Sequence, residues 1–256
     1  MKIFRILLLS VLFLQCKKEE KISDGVTFQY DKSVPMKFQD FNEGLDEYNG
    51  SVVYIGHMPK TIFIKYYSKG IMIPPPPSPI ENNFQEKKYK QDERKYDLIK
   101  QKYFNGYLPV FISQKDIKKD SIGNHNIRIE ANTHDTIPFY SIPFSNYQIK
   151  AYKAFPVYIK NISSHNLILP VGRLGLSYEV LNLSNKWQIL YNNNWFICGT
   201  GSLPKRYYFF KKEDMVIFGV PYLKGNFKTK MRIRFEYAIS NEFDASVNPE
   251  IFKKQR

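Results

Sequence analysis

Four histidines, two cysteines and a few acidic residues are the side chains of this chain best equipped for chemistry. His57, His125, His134 and His165 stand far apart, none at ligand spacing from another. No HExxH, CxxC or EF-hand pattern occurs, the spacings that let a helix or loop wrap a metal ion, so no metal and no cofactor is expected. His134 beside Asp135 is the best candidate for an oriented imidazole, although neighbours on an extended chain point to opposite sides. All four histidines fall in predicted loops or turns. Cys198, after Phe196-Ile197, reads as a small buried hydrophobe. Gly199-Thr200-Gly201-Ser202 lacks the lysine and the strand-to-helix setting of a phosphate cradle, and no G-x-S-x-G elbow is present. Glu179, Glu236 and Glu242 could supply the paired carboxylates of glycoside hydrolysis, but nothing in their spacing puts two of them across a cleft. No residue is assigned a catalytic role. One group suits binding: Trp187, Tyr191, Trp195, Phe196, Tyr207 and Tyr208 lie close together. Exposed aromatic faces stack on sugar rings or anchor a protein partner. The competing expectation makes Trp187 the core tryptophan of a β-sandwich with the others packed round it, and leaves Trp195, after three asparagines, the most exposed.

The first residues indicate where such a face would operate. Lys2 and Arg5 precede an apolar run, Ile6 to Leu14, broken only by Ser10; Cys16 follows, then Lys17-Lys18-Glu19-Glu20. A basic start, a short apolar run and a processing point make a secretory signal peptide. At about nine residues the run is too short for a bilayer, which needs roughly 20. The cysteine at its end resembles the lipobox of bacterial lipoproteins, in which Cys16 becomes the acylated first residue once residues 1–15 are removed. The family prefers a small residue before that cysteine, where this chain has Gln15. The resemblance implies an anchor of two or three acyl chains in membrane lipid, each buried methylene contributing roughly 0.8 kcal/mol. Lys17 rather than Asp follows the cysteine, so the usual inner-membrane retention signal is absent and the implied location is the outer membrane. Lys18-Glu19-Glu20 resembles the tag that sends some lipoproteins to the outer surface, with the periplasmic face as the alternative. Residues 16–25 are expected to form a charged tether.

The chain carries 38 basic and 24 acidic residues, a formal net charge of +14, and loss of Lys2 and Arg5 with the signal lowers it by two. Such a balance suits nucleic acid, anionic lipid or an acidic polymer. The excess is mostly lysine spread along the chain, and Lys, Asn, Ile, Tyr and Phe are abundant together, as in AT-rich genomes, so nucleic acid is not the expected partner. With Cys16 spent on the anchor, Cys198 has no intramolecular partner, and the fold must be held by its core. Aromatic residues make up 16% of the chain and favour half-buried strand positions.

The positioning elements are therefore expected to be mainly strands. Val26 to Tyr30 is a candidate strand; Val52 to Ile55 and Thr61 to Tyr67 suit an antiparallel hairpin with a five-residue loop. Residues 74–79, proline-rich, form a stiff extended spacer. Tyr89, Tyr96, Ile99 and Tyr103 recur at helical spacing and predict a helix over 84–104, stopped at Asn105-Gly106 and packed on the protein's own sheet. Leu108 to Ser113 is a further strand, which completes a β-rich region over 26–123. From 124 to 246 short apolar runs return at roughly ten-residue intervals, from Ile127 to Ala131 through Lys228 to Tyr237, which predicts an antiparallel β-sandwich. Met231, Ile233, Phe235 and Tyr237 alternate with Lys230, Arg232, Arg234 and Glu236, a core set and a water set. Ala154 to Ser163 resembles the second strand of immunoglobulin-like domains, which implies that fold without implying a function. Residues 247–256 read as a basic tail.

These expectations converge on a non-enzymatic envelope lipoprotein, held by acylated Cys16, that presents a β-sandwich to an envelope protein or a glycan. The alternatives are a lipid-anchored hydrolase of polymers and an immunity or inhibitor lipoprotein.

Overall fold

The computed structural model describes residues 21–39, 50–64, 83–103, 110–113, 120–141, 150–170, 176–190 and 205–253. Residues 1–15, Cys16, residues 17–20, the proline-rich spacer 74–79, Tyr191, Trp195, Cys198 and the glycine-rich loop after it lie outside them.

The described chain is mainly β. A central sheet forms around β8 (Lys150–Asn161), whose long apolar run is buried on both faces. On one edge of β8, β6 (Ile127–Ala131) and β7 (Ile137–Ser141) pair end to end, both antiparallel. Its other edge takes β13 (Met215–Pro221), antiparallel, and the short β2 (Met36–Lys37), parallel. Beyond β13 lies β3 (Ser51–Gly56), also antiparallel. Strands from the first sixty residues thus share a sheet with strands from beyond residue 124.

A second sheet is built on β14 (Phe227–Phe235). Its first edge pairs with β10 (Ser177–Leu181), which pairs in turn with β11 (Trp187–Leu190). Its second edge is covered end to end by β15 (Ala238–Ile239) and β16 (Phe243–Val247). Gly225, just before β14, lies so close to the main chain of Val247 and Asn248 that a side chain has no room. Two smaller sheets complete the set: β5 (Val110–Ser113), β12 (Lys205–Phe210) and β9 (Leu167–Pro170), all antiparallel, and the parallel pair β1 (Thr27–Tyr30) with β4 (Thr61–Ile64).

Alternation along β8 and β13 sends successive side chains to opposite faces, and each face has its own core. Phe155, Val157 and Ile159 of β8 with Val216, Phe218 and Val220 of β13 pack against Tyr178, Val180, Met231, Ile233 and Phe235 of the β14 sheet. Ala154, Tyr158, Met215 and Ile217 face the other way, against Ile62, Ile64, Val26 and Ile22. The result is a stack: the β1–β4 pair with the N-terminal turn, the central sheet, then the β14 sheet. Burying one side chain such as Phe or Ile contributes roughly 1.5–3 kcal/mol, and rings such as Phe155 and Phe243, 5.2 Å apart, close the core between the central sheet and the β14 sheet. The hydroxyl of Tyr178 donates across this layer to the carbonyl of Pro221 at 2.6 Å. Asn161, fully buried at the end of β8, ties the turn that follows: its amide donates to the carbonyls of Phe210 and His165, and its oxygen accepts from Ser163.

Three expectations are corrected. β3 and β4 do not form a hairpin; after Gly56 the chain leaves the central sheet and β4 joins β1 in another layer, so both strands satisfy their main chains elsewhere. The alternation of β14 stops at Phe235, because Glu236 turns the chain with φ 53°, and Tyr237 is 72% exposed rather than in the core. Arg232 and Arg234 are not free in water but share a buried carboxylate. The helix, α1 (Asn83–Tyr103), forms within a residue of the expected bounds; Tyr89 on its apolar side is half-buried. The segment from residue 247 begins inside β16 and continues as a single helical turn, α2 (Glu250–Lys253), with Ile251 buried in the core.

Candidate binding face

The feature that stands out chemically is the face of the β14 sheet turned away from its core. Tyr178 and Val180 of β10, with Met231, Ile233 and Phe235 of β14, point inward; strand alternation therefore places Glu179, Arg232 and Arg234 on the opposite face. Glu179 is directly across from Arg232 in the ladder, with Ser177 across from Arg234. Glu179 is only 3% exposed. Arg232 Nε donates to its Oε2 at 2.5 Å, while Arg234 donates to Oε1 from Nε at 2.7 Å and from Nη2 at 2.5 Å. The guanidinium of Arg232 also stacks 4.1 Å over the ring of Trp187. A cation on an indole face gains from the ring quadrupole as well as from contact area. Both carboxylate oxygens of Glu179 are thus committed to arginine. The cluster holds two guanidinium groups and an indole in one fixed layer, which suits recognition better than proton transfer.

A groove of about 660 Å³ adjoins this layer, where the turn joining β10 to β11 meets the start of β14 and the strand β16. That turn is built by Asn182, whose oxygen accepts from the main-chain amides of Ser184 and Lys186 while Asn185 takes a left-handed φ of 56°. Lys230 pairs with Asp244 across the strands at 2.7 Å, a contact open to water that lifts the Lys230 pKa above its ordinary value, by hydrogen bond and charge together.

Trp187 lies on this face, half-buried and outside both cores, so it is not the core tryptophan of the sandwich. Tyr207 and Tyr208 are on β12 in a different sheet, both buried, with Tyr208 in the core between the central sheet and the β14 sheet. Burial, helped by Asp214, pushes the Tyr208 hydroxyl well above the usual tyrosine value. The structure therefore does not bring Trp187 onto one surface with Tyr207 and Tyr208; Tyr191 and Trp195 lie outside the described residues. The four histidines are all exposed. The carboxylate of Asp135 accepts from the side-chain amide of Asn132, while the main-chain amide of His134 donates to the same Asn132. Among the described residues no three His, Cys, Asp or Glu side chains gather as metal ligands, and no helix is long and apolar enough to cross a membrane.

The N-terminal turn meets the molecule on the other side of the stack. Glu130 of β6 accepts from the amide of Ile22 and from the hydroxyl of Ser23, both at 2.7 Å. Ile22, Ser23 and Val26 are buried there. Residues 21–25, expected within a charged tether, are a docked turn.

No family model, no curated protein and no solved structure matches this chain.

Proposed function

We propose that this chain is a non-enzymatic envelope lipoprotein, anchored through acylated Cys16, whose β body presents the Trp187–Glu179–Arg232–Arg234 face to a partner in the envelope. The outer membrane is the proposed site of attachment, and an immunoglobulin-like sandwich over residues 124–246 is part of the same reading. The observation that carries it is the opposition of two surfaces. The docked turn at Ile22 and Ser23 closes one side of the stack, and the arginine–tryptophan layer lies on the other. Five residue steps separate Cys16 from Lys21, a reach of at most about 18 Å. An acylated Cys16 therefore holds the docked side close to the lipid. Two sheet-to-sheet spacings of about 10 Å each raise the Trp187 face away from it.

Intact mass and membrane partitioning of the protein from its native host, compared with Cys16→Ala, test the anchor. Acylation at residue 16 and loss of partitioning in the variant are expected. A soluble wild-type protein cleaved elsewhere overturns the reading.

A further inference from the structure

The layer that holds the N-terminal turn has an outer face of unusual composition. Ile62 and Ile64 of β4 point into the core against the central sheet, so alternation turns Thr61 and Phe63 outward. The parallel register sets Thr27 beside Thr61 and Gln29 beside Phe63, and the hydroxyls of Thr27 and Thr61 meet on that face at 3.2 Å. Parallel strands are nearly always covered on both faces. This pair is open at all four outward positions, with Phe63 63% exposed. None of the four side chains is charged, in a chain of which 24% is. Charge stands at the strand ends instead, all of it exposed: Lys21 and Asp24 in the N-terminal turn, Asp31 and Lys32 after β1, and Lys60 before β4. An aromatic ring among uncharged groups, with lysines at the margin, suits the headgroup boundary of a bilayer. There the ring reaches the acyl region, and long lysine stems carry their ammonium groups to lipid phosphates.

A lone exposed ring is ordinary on a protein surface; the place of this one is not. The amides of Asp24 and Val26 donate back to the carbonyls of Lys21 and Ser23, so the turn folds on itself and Lys21 ends near the start of β1. The amide and hydroxyl of Thr27 both donate to the carbonyl of Lys60, which fixes the start of β4 at the same point. Phe63 follows Lys60 by three strand residues, about 10 Å. An anchor at Cys16, at most about 18 Å from Lys21, brings this layer to the lipid. Its inner face is packed on the central sheet, and only the outer face is free to meet the membrane.

We propose that the outer face of β1 and β4 lies on the membrane surface, with the Phe63 ring at the acyl boundary and Lys21 and Lys60 at the headgroups. The proposal rests on the anchored-lipoprotein reading. It adds a non-covalent contact that fixes the orientation of the body, which a tether alone leaves free.

The test reconstitutes the acylated full chain into vesicles of phosphatidylethanolamine and phosphatidylglycerol, as Phe63→Trp and, on the opposite side of the stack, as Leu183→Trp. Both positions are exposed, Leu183 at 67%, so neither substitution disturbs a core. Trp187 and Trp195 are common to both variants, and the emission that each variant adds over the wild type is followed. Brominated acyl chains should quench the emission added by Phe63→Trp, and the vesicles should shield it from aqueous iodide. The emission added by Leu183→Trp should show neither effect. If the chain floats with the vesicles while the Phe63→Trp emission stays open to iodide, the contact is overturned and the anchor stands. A chain that does not float overturns both. Shielding in native envelope fragments but not in the purified vesicles would assign the face to a protein partner and likewise overturn the proposal.

Discussion

Glu179→Ala should cost this protein about 3 kcal/mol, the largest effect expected of any single substitution on the outer face of the β14 sheet. The wild-type carboxylate is 3% exposed and receives two guanidinium groups at 2.5–2.7 Å. Removing one partner of a buried ion pair strands the other and costs about 3–5 kcal/mol. The arginine side chains here keep 19% and 25% of their exposure, so water can take up part of the stranded charge and the lower end applies. For a urea slope of about 3 kcal/mol per molar, the unfolding midpoint followed by far-UV circular dichroism falls by about 1 M. A second variant separates charge from shape. Replacing Glu179, Arg232 and Arg234 together with leucine or methionine removes all three charges, and exchange of a buried ionic cluster for apolar groups is often neutral or stabilising. That triple variant should be more stable than Glu179→Ala. A loss below about 1 kcal/mol in Glu179→Ala, or a triple variant no better than the single one, would refute the assignment of Glu179 as a desolvated counter-ion.

The Tyr158 hydroxyl is buried with no hydrogen-bond partner among the described residues, so Tyr158→Phe should stabilise the protein by about 1 kcal/mol in neutral urea unfolding; destabilisation would show that the hydroxyl is satisfied. Burial, with smaller contributions from Asp135 and Glu130, lifts Tyr158 far above its ordinary pKa of 10.0, and Tyr208 behaves alike. A folded-state pKa above the unfolded one means stability that is complete below pH 10.0 and is lost as pH rises beyond it. The thermal midpoint should fall steadily above that pH, less steeply in Tyr208→Phe, and equal slopes would contradict this. Glu130→Ala removes the two acceptors that hold Ile22 and Ser23. A loss of about 2 kcal/mol raises local opening roughly thirtyfold, read as faster tryptic cleavage after Lys21; an unchanged cleavage rate would mean that Ile22 and Val26 alone dock the turn.

Much of the strand framework was legible because its cause is local. The run at Ile127–Ala131 alternates buried and half-buried residues, and Met231, Ile233 and Phe235 mark one face by period two alone. The helix over 83–103 followed from tyrosine spacing. Strands of two to five residues, such as β2, β7, β15 and β16, were missed. Their hydrogen bonds come from filling the remaining edges of β8 and β14, and so short a segment carries little periodicity of its own. The hairpin expected of β3 and β4 failed because adjacency in sequence competes with burial, and each strand found a deeper apolar partner elsewhere.

The candidate face was legible only in its parts. The alternating cations of β14 and the presence of Trp187 could be read directly, and a cation row on one strand is a signal that a neighbouring carboxylate could meet. Glu179, however, is 53 residues from Arg232 and 55 from Arg234. The sequence by itself determined a mainly β chain and, in strands such as β6 and β14 up to Phe235, which residues turn to the core, since side-chain alternation and the hydrophobic effect act within a few residues. Only the tertiary structure decided which strands became neighbours, and with them that Glu179 would lie between two arginines and the N-terminal turn on the opposite side of the stack. Register between distant strands depends on the packing of two whole cores at once, and no local pattern of residues encodes that balance.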